Sequence, residues 1–349
     1  MLDTLQLSLT DYEVSGAKLR LVPSTIDTET GEMKSNFPLW TDAGRTFEGS
    51  QAYHRDEHFN VALKPRFNAE GLGLSVSCYT RFEVPKFAGG NNYQPVDFRG
   101  TQDALKQAEK QLRDVGIRTN IFTAKPCRMD SFSNVEADEP YSCYQPVLAL
   151  LSGSRMKQRG YENGFLWENQ SAQLCAYDKR QKMKHDKLPL AGLPKHPLRF
   201  ELRALQARKI RSAYGFNSVQ DLLDGYDSIR AVYLETMGKQ LFKYSASDVE
   251  ALFHSELVKD FEWYSVHAGA RWMDKYFRDY GIYCTMQKAS METVLGALNE
   301  VEENKMKRSR LKKKLGEAHF AATALSLMPV SNRTHGELYN ELQAKLLAA

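Results

Sequence analysis

Residues 198–204 read LRFELRA, and this stretch marks the point at which the pattern of the chain changes. Its apolar and charged residues alternate with the two-residue period of a β-strand, which puts Arg199, Glu201 and Arg203 on one face. Before it, short alternating segments predict strands with few helices. Beyond Gln206, apolar residues recur at helical spacing. The sequence therefore predicts an α+β fold, with a largely antiparallel sheet domain over residues 1–205 and a helical domain over residues 206–349.

Several single elements can also be predicted from these patterns. Residues 101–115 carry apolar residues at helical spacing, and Gly116 follows as a helix stop. The motifs Ser218-x-x-Asp221 and Ser247-x-x-Glu250 have the form of helix capping boxes. The other predicted elements are strands at residues 72–78, 121–132, 172–179 and 198–204 and a helix at residues 144–151.

Composition narrows the class of protein. Of 349 residues, 42% are hydrophobic and 26% are charged, which excludes a mostly disordered chain. No run approaches the ~18 apolar residues of a membrane span, and the first residues have no basic segment typical of a signal peptide. The five cysteines form no C-x-x-C pair, which argues against a disulfide framework and a thiolate zinc site. We expect a cytosolic protein.

Positive charge is concentrated in one place. The net charge is +4, but residues 305–314, KMKRSRLKKK, hold seven cations and no anion, so the rest of the chain is at −3. An exposed basic helix of this kind is expected where a protein meets an anionic polymer. A helix face that is merely solvated would show the same run, so both interpretations stay open.

Common catalytic motifs are absent. The chain has no Walker A loop, G-x-G-x-x-G, H-E-x-x-H or G-x-S-x-G sequence. His54 and His58 are interpreted as a surface pair rather than a metal site. Cys127 and Cys175 are interpreted as buried or edge thiols, because neither has a histidine at a recognisable spacing.

Polar residues do gather on single faces of the predicted strands. Tyr177 and Lys179 share one face if residues 172–179 form one strand, and Arg128 shares a face with Asp130. An antiparallel sheet could present these groups together on an open face. A charged sheet face that only contacts solvent is the competing interpretation.

Several segments, taken in order, resemble one family. They are the opening MLDTLQLSL, residues 83–92 (EVPKFAGGNN, similar to the family's S-x-x-K-x-x-x-G-x-N), Arg128-Met-Asp130, residues 176–179 (AYDK) and residues 198–203 (LRFELR). Together they resemble the replication initiation proteins of filamentous bacteriophages, the gene II/X family of rolling-circle nicking enzymes related to the HUH endonucleases. The resemblance covers most of the first 205 residues, whereas the helical half matches only in type.

The resemblance implies an HUH/Rep-like sheet and a site-specific nick in one strand of phage origin DNA. Tyr177 matches the family's nucleophile, which becomes a phosphotyrosine and releases a 3′-OH primer, and Lys179 matches the neighbouring lysine. Tyr161 and Tyr141 are the next candidates. The implied partners are double- and single-stranded origin DNA, a host helicase and a DNA polymerase, with no membrane, in the host bacterial cytoplasm.

A phenol is a poor nucleophile at pH 7, so a divalent cation is expected to assist it. The histidine pair that names the HUH enzymes is absent from this chain. Carboxylates would have to replace it, which suits Mg²⁺ or Mn²⁺. The candidate ligands are Asp130, Glu201 and Glu83, and we expect Asp130 and Glu201 on an open face. An ion pair between Glu201 and Arg128 or Arg203 is the structural alternative.

Cations near these motifs are the candidate DNA contacts. They are Lys86, Arg128, Arg199, Arg203, Lys305, Lys307, Arg308, Arg310, Lys312, Lys313 and Lys314. The aromatic residues between Trp263 and Tyr280 have helical spacing and are interpreted as core rather than as base-stacking platforms. Two other functions stay open: an origin- or single-strand-binding protein without chemistry, and a metal-independent tyrosine recombinase or topoisomerase.

Overall fold

The structure is a computed structural model with side chains. It describes residues 1–14, 20–22, 37–40, 46–49, 51–55, 59–67, 74–88, 93–276, 291–324 and 333–349. Over these residues the chain has a mixed α/β fold, strand-rich in its first part and helical after residue 206, as the sequence predicts.

The described residues contain fourteen strands. They are β1 Leu2–Leu9, β2 Tyr12–Val14, β3 Arg20–Val22, β4 Phe37–Trp40, β5 Thr46–Gly49, β6 Gln51–Arg55, β7 Phe59–Phe67, β8 Leu74–Glu83, β9 Ile117–Thr119, β10 Lys125–Glu136, β11 Lys157–Tyr161, β12 Gly164–Glu168, β13 Ala172–Asp178 and β14 Pro197–Ala204.

The same residues contain eleven α-helices. They are α1 Val84–Phe87, α2 Phe98–Asp114, α3 Tyr141–Leu150, α4 Lys179–His185, α5 Ala207–Tyr214, α6 Val219–Asp224, α7 Ser228–Gln240, α8 Ala246–His267, α9 Met291–Val301, α10 Lys305–Ala324 and α11 His335–Ala348.

Ten of the described strands form one sheet, in the order β11-β12-β13-β14-β10-β1-β8-β7-β6-β3. The pairings from β10 through β1, β8, β7 and β6 to β3 are antiparallel. This agrees with the predicted antiparallel sheet.

The chain divides into two compact units that interleave along the sequence. The first comprises Met1–Ser133, Glu168–Leu174 and Glu201–Thr236, and the second comprises Asn134–Trp167, Cys175–Phe200 and Met237–Ala349. The helices beyond residue 206 therefore contribute to both units, whereas the sequence analysis placed one boundary at 205–206.

Each unit has its own apolar core. In the first unit, α2 buries Leu105, Ala108 and Leu112 in a cluster with residues of β1 and β7. Gly116 has φ 92°, a conformation that favours glycine, so it ends α2 as predicted. In the second unit, α8, α9 and α10 share a cluster that includes Leu257, Leu298 and Leu315.

Several predicted boundaries are wrong. Residues 121–123 form a 3₁₀ turn, and the strand predicted at 121–132 runs instead as β10. The strand predicted at 172–179 ends at Asp178, which caps α4. The capping box predicted at Ser247 is formed two residues earlier, by Ser245 and Asp248, whereas the box of Ser218 and Asp221 is confirmed.

None of the helices in the described residues is both long and apolar enough to cross a membrane.

Candidate functional site

Four neighbouring strands, β8, β1, β10 and β14, bring charged residues of the first unit together. Arg81 of β8 and Arg128 of β10 lie opposite the same residue of β1, and Glu83 and Asp130 lie opposite another. Directly opposed residues of neighbouring strands share a face of the sheet. One face of the sheet therefore carries a row with Arg81 and Arg128 and an adjacent row with Glu83 and Asp130.

Two of these carboxylates are held by arginines of their own strands. Arg128 donates its Nε to Asp130 Oδ1 at 2.9 Å and its Nη2 to Asp130 Oδ2 at 2.7 Å. Arg203 donates its Nε and Nη2 to Glu201 Oε2 at 3.0 and 2.6 Å. The ion pair that the sequence left open for Glu201 is therefore formed, with Arg203.

The expectation of an open face is wrong for both carboxylates. Asp130 is 2% exposed and Glu201 is 3% exposed. The side chains of Arg128 and Arg203 stay 21% and 29% exposed, because the longer arginines reach past the acids towards solvent. The exposed surface of these pairs is therefore cationic.

The six residues Arg81, Glu83, Arg128, Asp130, Glu201 and Arg203, here named the arginine–carboxylate cluster, are electrostatically coupled. Burial raises the pKa of Asp130, and the hydrogen bonds and charge of Arg128 lower it. The nearby charge of Glu201 raises it further. Burial and the charge of Arg128 lower the pKa of Arg81, whereas Asp130 and Glu83 raise it. An anion bound at the cluster would reduce the repulsion between the arginines. A bound cation would reduce the repulsion between Asp130 and Glu201.

The donor set fits a divalent cation in one mode only. No group of three or more histidine, cysteine, aspartate or glutamate side chains in the described part of the chain is arranged to hold a metal ion. Asp130 and Glu201 nevertheless supply carboxylate oxygens, and the charge of Glu201 raises the pKa of Asp130. Mg²⁺ is commonly bound by one or two carboxylates together with substrate phosphates. Asp130 and Glu201 fit that mode.

Tyr177 lies near the end of β13, in the second unit, and is partly buried. Lys179 is the first residue of α4 and is buried, so the prediction that the two share a strand face is wrong. The cause is Asp178, whose side chain accepts a hydrogen bond from the Gln181 N–H at 3.0 Å and starts the helix.

Further titratable groups lie near Tyr177 and Asp178. Arg180 donates its Nη2 to the Pro194 carbonyl at 2.7 Å, which fixes the loop before β14. His196 follows that loop, and burial and the charge of Lys195 lower its pKa, while Asp178 raises it. Sequence reasoning missed this neighbourhood because loop closure alone brings these residues together.

Tyr141 belongs to the same neighbourhood. Its hydroxyl is buried and has no hydrogen-bond partner among the residues that the structure describes. Burial raises the pKa of Tyr141, and the charge of Asp178 raises it further. A phenol that resists ionisation is a weak nucleophile. These features disfavour Tyr141 as an alternative to Tyr177.

Arg199 is 1% exposed, and its Nε donates to Asn134 Oδ1 at 2.9 Å. A guanidinium with so little exposed surface cannot contact a phosphate.

Sequence reasoning also missed Arg81. The signal was its spacing to Glu83, which repeats the cation-x-carboxylate spacing of Arg128 and Asp130 on a neighbouring strand.

The basic run forms the first half of α10, and it is not exposed on all sides. Leu311 and Leu315 are buried among residues of α8 and α9. The expectation of an exposed basic helix is therefore wrong in part, because leucines four residues apart give it one narrow apolar edge.

Protein groups already engage some cations of this helix. Lys314 pairs with Asp274 at 2.9 Å and Lys307 pairs with Glu302 at 2.7 Å. Arg308 donates to the Asn299 carbonyl at 3.1 Å. Lys305, Arg310, Lys312 and Lys313 of the same run are exposed.

The other residues singled out by sequence are structural where they are described. Cys175 is buried and the thiol of Cys127 donates to the Gln6 carbonyl at 3.2 Å. Tyr264, Trp272 and Tyr276 are core residues, whereas Trp263 is largely exposed. Lys86 lies partly buried on α1. His58, Phe277 and Tyr280 fall outside the described residues.

Comparisons with protein-family models and with curated proteins found no match to this chain.

Proposed function

We propose that the protein initiates rolling-circle replication by nicking one strand of phage origin DNA and later rejoining the displaced strand. The observation that carries this proposal is the arginine–carboxylate cluster, which brings the charges of five residues of the family-like motifs together on four neighbouring strands. Its outward surface is cationic and its interior holds paired acids. This combination suits a DNA phosphate and the charge that develops on it during cleavage.

The reaction we propose is a phosphoryl transfer to Tyr177. The phenolic oxygen forms a bond to phosphorus while the bond between phosphorus and the 3′ oxygen breaks. The phenol loses its proton and the departing 3′ oxygen gains one, which leaves a 3′-OH primer and a 5′-phosphotyrosine. Attack by a new 3′-OH on the phosphotyrosine reverses these changes and joins the strand.

The cluster, which belongs to the first unit, would bind phosphate oxygens of the origin DNA. Arg128 and Arg203 are partly exposed and offer fork-shaped donors that match phosphate geometry. Asp130 and Glu201 would hold Mg²⁺ or Mn²⁺ together with the substrate phosphate. A bound cation of this kind polarises the phosphorus centre.

Duplex DNA on either side of the nick would rest on α10. Its exposed cations suit phosphate contacts without base readout. In this proposal the protein works in the host bacterial cytoplasm, where a host helicase and DNA polymerase extend the released 3′-OH.

The test is incubation of the full chain with supercoiled DNA that carries the phage's own intergenic region, with Mg²⁺ or Mn²⁺. We expect nicked circles and a covalent protein–DNA adduct that survives denaturation. Intact supercoiled DNA without an adduct, under conditions in which the protein binds the origin, would contradict the proposal and favour a binding protein without chemistry.

One observation favours a second candidate, a metal-independent strand transferase. Both buried carboxylates are already paired with arginines, and an arginine-based site resembles the assistance expected in tyrosine recombinases and topoisomerases. Cleavage that persists in EDTA would favour this candidate, whereas cleavage abolished by EDTA and restored by Mg²⁺ would favour the metal-dependent nickase.

A further inference from the structure

Strand β11 is an unusual edge strand. It lies at one end of the ten-stranded sheet of the described residues, and all five of its residues are exposed. Its sequence is KQRGY. Edge strands commonly carry charges that block pairing with other chains. Here the charges are all positive and an exposed tyrosine follows them.

The two faces of β11 differ. Gln158 donates its amide to the carbonyls of Leu148 and Ala149 at 3.2 and 2.9 Å, so its face is turned towards the end of α3. Side chains alternate between the faces of a strand. Lys157, Arg159 and Tyr161 therefore share the opposite face, and Tyr161 is 55% exposed.

This face leads towards Tyr177 within the second unit. Only Glu162 and Asn163 separate β11 from β12, so Tyr161 opposes Gly164 in a two-residue hairpin. On the other side of β12, the Asp178 N–H donates to the Asn163 carbonyl at 3.0 Å. Gly164 lies beside Tyr177, since a Cβ at residue 164 would be 2.7 Å from Tyr177 Cβ. Tyr161, Gly164 and Tyr177 thus form one row across three strands.

We propose that the face of β11 formed by Lys157, Arg159 and Tyr161 binds single-stranded DNA and leads it to Tyr177. Lys157 and Arg159 lie about 6.6 Å apart along the strand and contact successive phosphates of an extended strand. Tyr161 stacks on a base next to the scissile phosphate. The delivery of DNA to Tyr177 rests on the proposed nicking function. Binding of the single strand to β11 does not require that the protein cleaves DNA.

The partner chemistry follows from the arrangement of the face. Two cations that lead to an exposed aromatic ring suit a single strand, because an unpaired base offers its ring face for stacking. Duplex DNA keeps its bases stacked inside and offers Tyr161 no partner. Single-stranded DNA is therefore favoured over duplex DNA at this face.

The test measures binding of fluorescein-labelled oligothymidylate to the full chain by anisotropy, in EDTA, across a range of salt concentrations. We expect the Lys157→Ala, Arg159→Ala double variant to lose at least tenfold in affinity and to flatten the slope of log affinity against log salt by about 1.4. The matched control is the Lys106→Ala, Lys110→Ala double variant on exposed α2 positions, which should bind like the wild type.

Tyrosine variants test the stacking part separately. Tyr161→Ala should lose about tenfold in affinity for the single strand, and Tyr161→Phe should keep it, because the ring remains. The proposal is overturned if the Lys157 and Arg159 double variant has the salt slope of the control, or if it loses duplex binding equally. Failure of the wild type to bind oligothymidylate overturns it as well.

These outcomes separate this proposal from the nicking function. The oligothymidylate carries no origin and the buffer no metal, so a binding loss supports the proposed binding face on β11 even if origin DNA is never cleaved. Conversely, a double variant that binds and nicks like the wild type would contradict the proposed binding face on β11 and would leave the proposed nicking function unaffected.

Discussion

Gly164 and Tyr177 face each other on neighbouring strands so closely that no side chain fits between them. A Cβ at residue 164 would lie 2.7 Å from Tyr177 Cβ and 3.0 Å from the Ala176 carbonyl oxygen. The backbone atoms of β13 cannot move aside as a flexible side chain would. Glycine at this position therefore fixes where the candidate nucleophile sits, although no motif of the sequence marks it.

Replacing Gly164 with alanine should displace Tyr177. We expect nicking to fall at least tenfold and the free energy of unfolding to fall by about 1–3 kcal/mol, because the methyl group forces the strands apart. Duplex binding should be unchanged. The control is Gly238→Ala on α7, where a Cβ meets no atom of the described residues within 4 Å and should stabilise the helix by up to about 1 kcal/mol. Equal nicking by both variants would contradict this prediction.

Tyr177→Phe should abolish nicking and adduct formation while duplex binding stays near the wild-type value. The substitution removes the oxygen that attacks phosphorus, and one hydroxyl contributes little to a large DNA interface. Gel assays for nicked circles and for the denaturation-resistant adduct measure the first effect. Cleavage at a near wild-type rate would transfer the role to Tyr161, the more exposed of the two alternatives.

The carboxylate variants Asp130→Asn and Glu201→Gln should lower cleavage strongly and shift its Mg²⁺ or Mn²⁺ dependence to higher concentration. Because both acids are buried in ion pairs, we also expect the free energy of unfolding to fall by about 1–3 kcal/mol. Glu136→Gln, an exposed position of the same strand as Asp130, is the control. A metal titration unchanged in both variants would show that the ligands lie elsewhere.

The sequence predicted the sheet, the helical part and most charged residues of the cluster, because alternation along a strand determines which side chains share a face. It could not predict that Asp130 and Glu201 are buried, since their depth depends on arginines that fold over them. It also placed Lys179 with Tyr177, because a strand pattern does not show that Asp178 caps a helix there. Arg180 and His196 join this neighbourhood only through loop closure.

His335 should make the protein less stable in mild acid. It is buried, and burial lowers its pKa to about 4 although Glu250 raises it. Between pH 6.5 and 4 the unfolded chain binds a proton at this residue and the folded chain does not, so the free energy of unfolding falls as pH falls. The full effect is about 3 kcal/mol.

Urea unfolding at pH 7 and pH 4.5 measures this effect. The control is His335→Phe, which keeps a ring stacked on Phe253 but cannot titrate. Carboxylates contribute equally to both proteins, so the difference between them isolates His335. A pH dependence as steep in the variant as in the wild type would show that His335 is not the titrating group.

Replacing Lys312, Lys313 and Lys314 with alanine should weaken binding to specific and random duplex DNA alike. Each phosphate contact contributes about −0.9 to the slope of log affinity against log salt. Lys314 is already paired with Asp274, so we expect the triple variant to flatten the slope by less than three, and Lys314→Ala alone to change it little. Leu311 and Leu315 pack α10 against its core, so the variant should stay folded.

The control is the α2 variant with Lys106, Lys110 and Arg113 replaced by alanine, which removes equal charge from exposed positions. A salt slope equal to that of the wild type in the α10 variant would mean that the basic run is only a solvated surface.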